Sequence, residues 1–559
     1  MKALYPLTIL FFLTGTALKE APKKDKRPNI IVILADDMGY SDIGCYGGEI
    51  HTPNLDYLAA NGLRFTQFYN TSRCCPTRAS LLTGLYNHQA GIGNMSNDQN
   101  QPGYRGHLLE NTVTLAEVLK SAGYHTGMVG KWHVSNTLVQ PTPDAQLKWL
   151  NHQAVHPLFS PIDQYPVNRG FERFYGTLWG VVDYYDPFSL VYGTKPVTDL
   201  PKNYYHTDAL NDSASSFIRE MSGDGKPFFL YLAHNAPHWP VQAPAEDIEK
   251  YKDVYKDGWQ SVRERRYARM VKLGIIDSSM QRLSARQGGR SWNDNANKDF
   301  DARAMAVHAA MIDRMDQGIG RVLQTLRETG QLDNTLIIFL SDNGASPEEC
   351  ANFGPGFDRP GETRDGRKIV YPADKKALPG PQTVYGSIGP DWANVSNTPY
   401  RYWKIESYEG GVRTPMIAFW PKGLKAKKGS LTGQPGHVMD FMATFIELAG
   451  TTYPSTYNDK PVKPMDGISL LPILKGKQRR GHDVYYNEHN GRRYARMGDW
   501  KIVSGNVDTT WHLYNMAKDA TETTDLAAQF PARVAELSER WQSWARRNNV
   551  FPRPPKKGE

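Results

Sequence analysis

Two short polar clusters are the first places where this chain could do chemistry. Asp36-Asp37 closes one apolar run, and Asp342-Asn343 closes another. Four oxygen-bearing side chains without an accompanying His or Cys suit a hard divalent cation, Ca2+ or Mg2+, rather than zinc. Alternation along a strand would aim neighbours apart, but a turn at the strand end lets both reach one point. Each pair alone reads as a common turn sequence. Their joint placement after buried strands favours the metal.

The second source of chemistry is Cys74-Cys75-Pro76-Thr77-Arg78-Ala79-Ser80-Leu81-Leu82-Thr83-Gly84. Read locally, it is a solvent-facing turn before a helix, with Thr77 near the N-cap and Leu81-Leu82 on the buried side. Read whole, it resembles the signature of formylglycine-dependent type-I sulfatases, where a Cys stands two residues before Pro and four before Arg. Pro76 and Arg78 take those places relative to Cys74, so Cys74 is the candidate and Cys75 fills the variable slot. Arg73 departs from the apolar or small residue usual there. The resemblance implies that a formylglycine-generating maturation enzyme oxidises Cys74 to an aldehyde whose hydrate is the nucleophile.

Carried over residue by residue, the resemblance makes Asp36, Asp37, Asp342 and Asn343 calcium ligands, with position 74 completing the shell. Gly130-Lys131-Trp132-His133 matches the family's Gly-Lys-x-His element. It assigns Lys131 to the sulfate and His133 to the hydrate or sulfate. Lys404, ahead of Glu409-Gly410-Gly411-Val412-Arg413, is similar to the second sulfate-binding lysine. Arg78, one helical turn after position 74, would orient the nucleophile. His238 in Ala236-Pro237-His238-Trp239-Pro240 matches the leaving-group acid, a role that suits an imidazole near neutral pH. One hydroxyl of the hydrate would attack sulfur and the other would lose its proton to expel sulfate. Pro53 to Asp56, Arg169 to Glu172, Met311 to Asp316 and Arg496 to Lys501 extend the likeness over nearly the whole mature chain. They place it nearest bacterial arylsulfatases.

These residues need a scaffold. Asn29 to Ala35, Pro227 to Ala233, Thr335 to Leu340 and Pro415 to Trp420 are continuous apolar runs, the mark of strands buried on both faces. Helical patterns lie between them at Thr114 to Ala122, Ala302 to Thr329 and Val438 to Ala449. The alternation predicts an α/β sandwich on a mainly parallel sheet, and the resemblance makes it alkaline-phosphatase-like. Ligands of such sheets bind beyond the carboxyl ends of the strands, where the polar clusters after the first three runs fall. After Gly450, short runs at Asp483 to Tyr486, Arg493 to Met497 and Trp500 to Val503 predict a small antiparallel sheet. Ala532 to Arg547 reads as a terminal helix with Val534, Leu537, Trp541 and Trp544 on its packing stripe. Residues 245–300 are charged and partly helical in pattern. Residues 346–400 lack periodicity and are expected to shape the substrate pocket.

Residues 1–17 read as a secretory signal peptide, with Lys2 before an apolar run and Gly15-Thr16-Ala17 at the cleavage site. A tether at 18–27, a catalytic domain at 28–450 and a C-terminal subdomain at 451–559 follow. An exported, periplasmic or secreted protein without stable membrane insertion is expected. Lys and Arg exceed Asp and Glu by only eight, 66 against 58, and are spread along the chain. That spread suits an anionic small molecule or glycan and provides no nucleic-acid stripe. Four cysteines exclude a disulfide framework. The expected function is hydrolysis of aryl sulfates or sulfated carbohydrates. The alternatives are a phosphonate monoester or phosphodiester hydrolase of the same superfamily, and a non-catalytic secreted protein that binds sulfated glycans.

Overall fold

The seven residues of Asn29–Ala35 (β1) are buried on both faces, as a β-branched run at a sheet centre must be. In the computed structural model, which describes residues 25–155, 158–287 and 289–554, this strand is the axis of the molecule. The other strands of the main sheet are Leu63–Tyr69 (β2), His125–Gly130 (β3), Arg173–Thr177 (β4), Leu190–Tyr192 (β5), Lys195–Pro196 (β6), Phe228–Ala233 (β7), Thr335–Ser341 (β8), Arg413–Phe419 (β9), Ser430–Thr432 (β10) and Gly436–His437 (β11). Their order is β10-β2-β9-β8-β1-β7-β3-β4-β5-β6, with β11 also on β2. The centre β8-β1-β7-β3-β4 is parallel, whereas β9 is antiparallel to both β8 and β2.

Register decides what this sheet can do. Leu34 pairs with both Ala233 and Leu340, Ala35 with Ser341, and Gly130 with Ala233. The chain therefore leaves four neighbouring strands at one edge, carrying Asp36, Lys131, His234 to His238, and Asp342. The two faces of β1 feed separate cores. Ile31 and Ile33 join the apolar stripe of the helix Lys298–Glu328, and Ile30, Val32 and Leu34 join the side holding Leu81, Leu82 and Phe441. Each fully buried Leu, Ile or Phe there contributes about 1.5–3 kcal/mol.

The helix Cys74–Thr83 differs from its local reading. All ten residues are buried, and the cap position is Arg73, not Thr77. Thr77 instead accepts from the Thr71 backbone N–H at 3.1 Å. Packing on every side, apolar at Leu81 and Leu82 and polar at Arg78, removes the solvent face that a lone amphipathic segment would have.

As expected, a four-stranded antiparallel sheet follows, from Tyr485–His489, Arg492–Met497, Trp500–Ser504 and His512–Asn515. The helix Pro531–Arg547 buries Leu537, Trp541 and Trp544 against it, while Val534 is only partly buried. The Trp541 Nε1–H donates to Asn487 O at 3.1 Å, so these tryptophans pack rather than present a platform. A buried cluster fastens the sheet to the main body: Lys501 Nζ lies 2.7 Å from both Glu409 Oε1 and Glu522 Oε1. Residues 346–400 are irregular apart from a short turn at Cys350–Asn352 and the helix Gly389–Ser396. The charged insertion carries helices at Ala245–Glu249 and Gly258–Lys272.

The signal peptide at 1–17, most of the tether and the last five residues lie outside the described residues. Among the described residues, no helix is long and apolar enough to cross a membrane.

Candidate active site

Every site residue singled out from the sequence arrives at the carboxyl edge of the central sheet, and all are buried. Asp36, Arg78, Lys131, Asp342 and Asn343 are fully inaccessible, and His133 and His238 are the most open at 5 %. Asp37 and His133 have φ near +66° and +57°, in the left-handed region. That backbone turns Asp37 away from Asp36 and His133 away from Lys131, so adjacent residues reach different parts of one centre. Ile405, next to Lys404, has φ +81°, a costly conformation for a β-branched residue. Two glycines make room. A Cβ on Gly130 would meet the Ala233 carbonyl oxygen at 1.9 Å, and one on Gly180 would enter the His133 ring at 2.3 Å.

The anions and cations of the centre interlock. Lys131 Nζ donates to Asp36 Oδ2 at 2.5 Å. Arg78 donates to Asp342 Oδ2 through Nε at 3.2 Å and Nη2 at 2.9 Å, and to Lys131 O through Nη1 at 2.8 Å. Asp342 Oδ1 accepts from the Asp37 backbone N–H at 3.2 Å, and Asn343 Nδ2 donates to Asp37 Oδ1 at 2.7 Å. Lys404 Nζ donates to Asp37 Oδ2 at 2.8 Å and to His238 Nε2 at 3.3 Å.

These contacts set the charges. Burial works against ionisation of Asp36, but Lys131, then His238 and Arg78, hold its carboxyl down at about 2. Burial and the adjacent Asp36 push Asp342 well above the carboxylate range, so Asp36 is the more acidic of the two. A hydrogen bond from Cys75 lowers the Cys74 thiol well below its usual value; Lys131 and His133 act the same way against burial. Burial first and Lys131 second bring His133 down to about 4. Burial also lowers His238, which Asp37 partly offsets. Burial would deprotonate Lys404, yet Asp37 and Glu348 keep it charged.

The donor set fits a hard cation. Asp36 Oδ1 and Asn343 Oδ1 are buried oxygens without a hydrogen-bond partner, an arrangement costly enough that a ligand is its ordinary explanation. Asp37 brings an oxygen within 4.8 Å of Asp36, as does His238 a ring nitrogen, so the grouped donors are two carboxylates with one imidazole beside them.

One residue at the rim, Glu348, escaped the sequence reading. Glu348 accepts from Lys404 Nζ at 3.3 Å, Trp239 Nε1 at 2.7 Å and Arg73 Nη1 at 3.1 Å. The charge of Arg73, set aside as a departure, is thus paired. Only the three-dimensional course of residues 346–400 could have joined these three. His234 is a buried structural histidine whose Nε2 meets Asn211 Oδ1 at 3.2 Å. All four cysteines are free thiols.

Residues 28–451 match the family model described as Sulfatase, and residues 401–543 match that described as N-sulphoglucosamine sulphohydrolase, C-terminal. An arylsulfatase of Klebsiella aerogenes is 35% identical over 472 residues, 82% of this chain and 94% of its own length. An uncharacterized sulfatase of Schizosaccharomyces pombe is 32% identical over 572 residues, 95% of this chain and 96% of the relative. The crystal structure of Ps i-CgsB is similar with a TM-score of 0.65 at 25% identity, covering 94% of this chain and 98% of that one.

Proposed function

The chain belongs to the sulfatase family, and from that premise we propose that this sulfuric ester hydrolase acts through formylglycine made from Cys74, with Ca2+ held by Asp36, Asp37, Asp342 and Asn343. Its substrate class is a sulfate monoester of a phenol or a sugar, met after export of the chain. One observation carries the reading. Arg78, Lys131, Lys404 and His238, from four separate segments, converge with three Asp side chains around Cys74 in the dry interior.

The cation would supply Lewis-acid stabilisation of charge on the sulfate oxygens, and formylglycine hydrate would supply a hydroxyl nucleophile and a second hydroxyl that allows sulfate to depart. The remaining work falls to this chain's own side chains. Lys131 and Lys404 are charged donors in a water-poor site, suited to hold the sulfate as charge builds. His238 Nδ1 lies 2.6 Å from Trp239 O. A carbonyl cannot donate, so Nδ1 carries a proton and Nε2 is the atom that takes up and delivers the catalytic one. Nε2 faces Asp37 Oδ2 at 3.4 Å, which partly offsets the burial that disfavours its protonated form. Arg78 fixes Asp342 and the strand end at Lys131, and so orients position 74.

The test is aryl sulfate hydrolysis by protein co-produced with a formylglycine-generating enzyme, beside Cys74→Ala, after mass spectrometry of the Cys74 peptide. Calcium-dependent turnover, absent in the variant and exceeding that on phosphonate esters, is expected. A converted protein that prefers phosphonate esters would move the chain to the neighbouring hydrolases. One inert on every ester tested would leave a highly selective glycan sulfatase or a glycan-binding protein without catalysis.

A further inference from the structure

The unconverted site holds a second donor set, unlike the first in kind. Cys74 Sγ, Cys75 Sγ and a ring nitrogen of His133 all lie within 4.8 Å of one another. The three residues are 1 %, 0 % and 5 % exposed, and His133 Nδ1 is buried without a hydrogen-bond partner. Behind them, Cys75 Sγ is 3.9 Å from the Met95 thioether sulfur. Two thiols, an imidazole and a thioether are soft donors, and carboxylate oxygens are not among them.

Soft donors of this kind select Cu+ or Zn2+ over Ca2+ or Mg2+. Coordination number separates the two. Zn2+ wants a fourth strong ligand, whereas three donors with a distant thioether satisfy a cuprous ion.

We propose that the folded, unconverted chain binds one cuprous ion between Cys74, Cys75 and His133, with Met95 closing the site from behind Cys75. Both sulfurs bind as thiolates, so Cys75 gives up its proton to solvent as the ion enters, and no oxidation state changes. The site and the mature nucleophile exclude each other, because conversion replaces the Cys74 sulfur with an aldehyde oxygen. Only this exclusion rests on the formylglycine reading. The site depends on the thiol of Cys75, which stands in the motif's variable slot.

The experiment uses the full chain made without a maturation enzyme, reduced, with the Cys74 thiol verified by mass. It is titrated with Cu+ under anaerobic conditions against a coloured cuprous chelator. One equivalent retained per chain is expected, with at least a tenfold loss of affinity in Cys74→Ser and in Cys75→Ser. Cys45→Ser and Cys350→Ser should bind as the parent does. Circular dichroism checks folding, and the converted chain, which lacks the Cys74 thiol, serves where a variant misfolds; it should release the ion. Retention that survives Cys75→Ser, tighter holding of Zn2+ than of Cu+, or no retention by the parent would overturn the proposal. A chain that binds Cu+ yet never gains an aldehyde on co-production refutes the formylglycine reading alone.

Discussion

Lys404 Nζ donates to Asp37 Oδ2 at 2.8 Å, joining residues 367 positions apart. The lysine is 1 % exposed and the aspartate 2 %, so neither has water to fall back on. The pair binds the segment before Glu409-Gly410-Gly411 to the end of β1. Lys404→Ala removes a charged donor from a water-poor centre and should lower kcat/KM by about 10²–10³. The chain should still fold, which a thermal melt beside the assay will establish.

Glu348 links Lys404 to Trp239, whose carbonyl orients His238. Glu348→Gln should therefore impair protonation of the leaving group more than binding of sulfate. An alkyl or sugar sulfate, which needs that proton, should lose roughly tenfold more rate than 4-nitrophenyl sulfate, which needs it little, within the range of general acid catalysis. Equal losses on both esters would sink this role.

Calcium removal tests the oxygen cluster at Asp36, Asp37, Asp342 and Asn343. Chelation should abolish turnover and lower the melting temperature. Restoring Ca2+ at a hundred times its Kd should return about 2.7 kcal/mol of stability. Asp36→Asn should lose this calcium-dependent shift in melting temperature.

Gly130→Ala should fail by a different route. The new methyl would meet a backbone oxygen at 1.9 Å, at a residue whose φ is +104°. Both faults lie in the sheet itself, so a loss above about 2 kcal/mol is expected in urea unfolding. Gly180→Ala instead displaces the His133 ring and should cost activity before stability.

Acid stability has a separate source. Burial opposes ionisation of Asp440, yet His482, with Oδ1 2.6 Å from its Nε2, and Arg479 at 2.9 Å hold it down at about 2. Its folded pKa lies below the unfolded value of about 3.9. The pair's stability is thus full above pH ~4 and is lost as pH falls toward ~2, on the order of 2–3 kcal/mol. Asp440→Asn should be less stable at neutral pH and show a flatter urea midpoint between pH 4 and 2.

Local chemistry was legible in the sequence wherever residue type alone is diagnostic. Continuous β-branched runs announce strands buried on both faces, and the Cys74 to Gly84 and Gly130 to His133 stretches are readable because all their members lie close together in the chain. Asp36-Asp37 and Asp342-Asn343 each looked like an ordinary turn. Their meeting depends on Ala35 standing opposite Ser341, a register set by the pairing of β1 with β8. The burial of the helix after Cys74, the tie from Lys404 to Asp37 and the pairing of Arg73 with Glu348 were decided only by tertiary structure. Each joins segments far apart in sequence, and no pattern within a window of residues encodes such a contact. Long-range packing removes water from all of them at once, turning ordinary surface charges into paired groups with fixed positions.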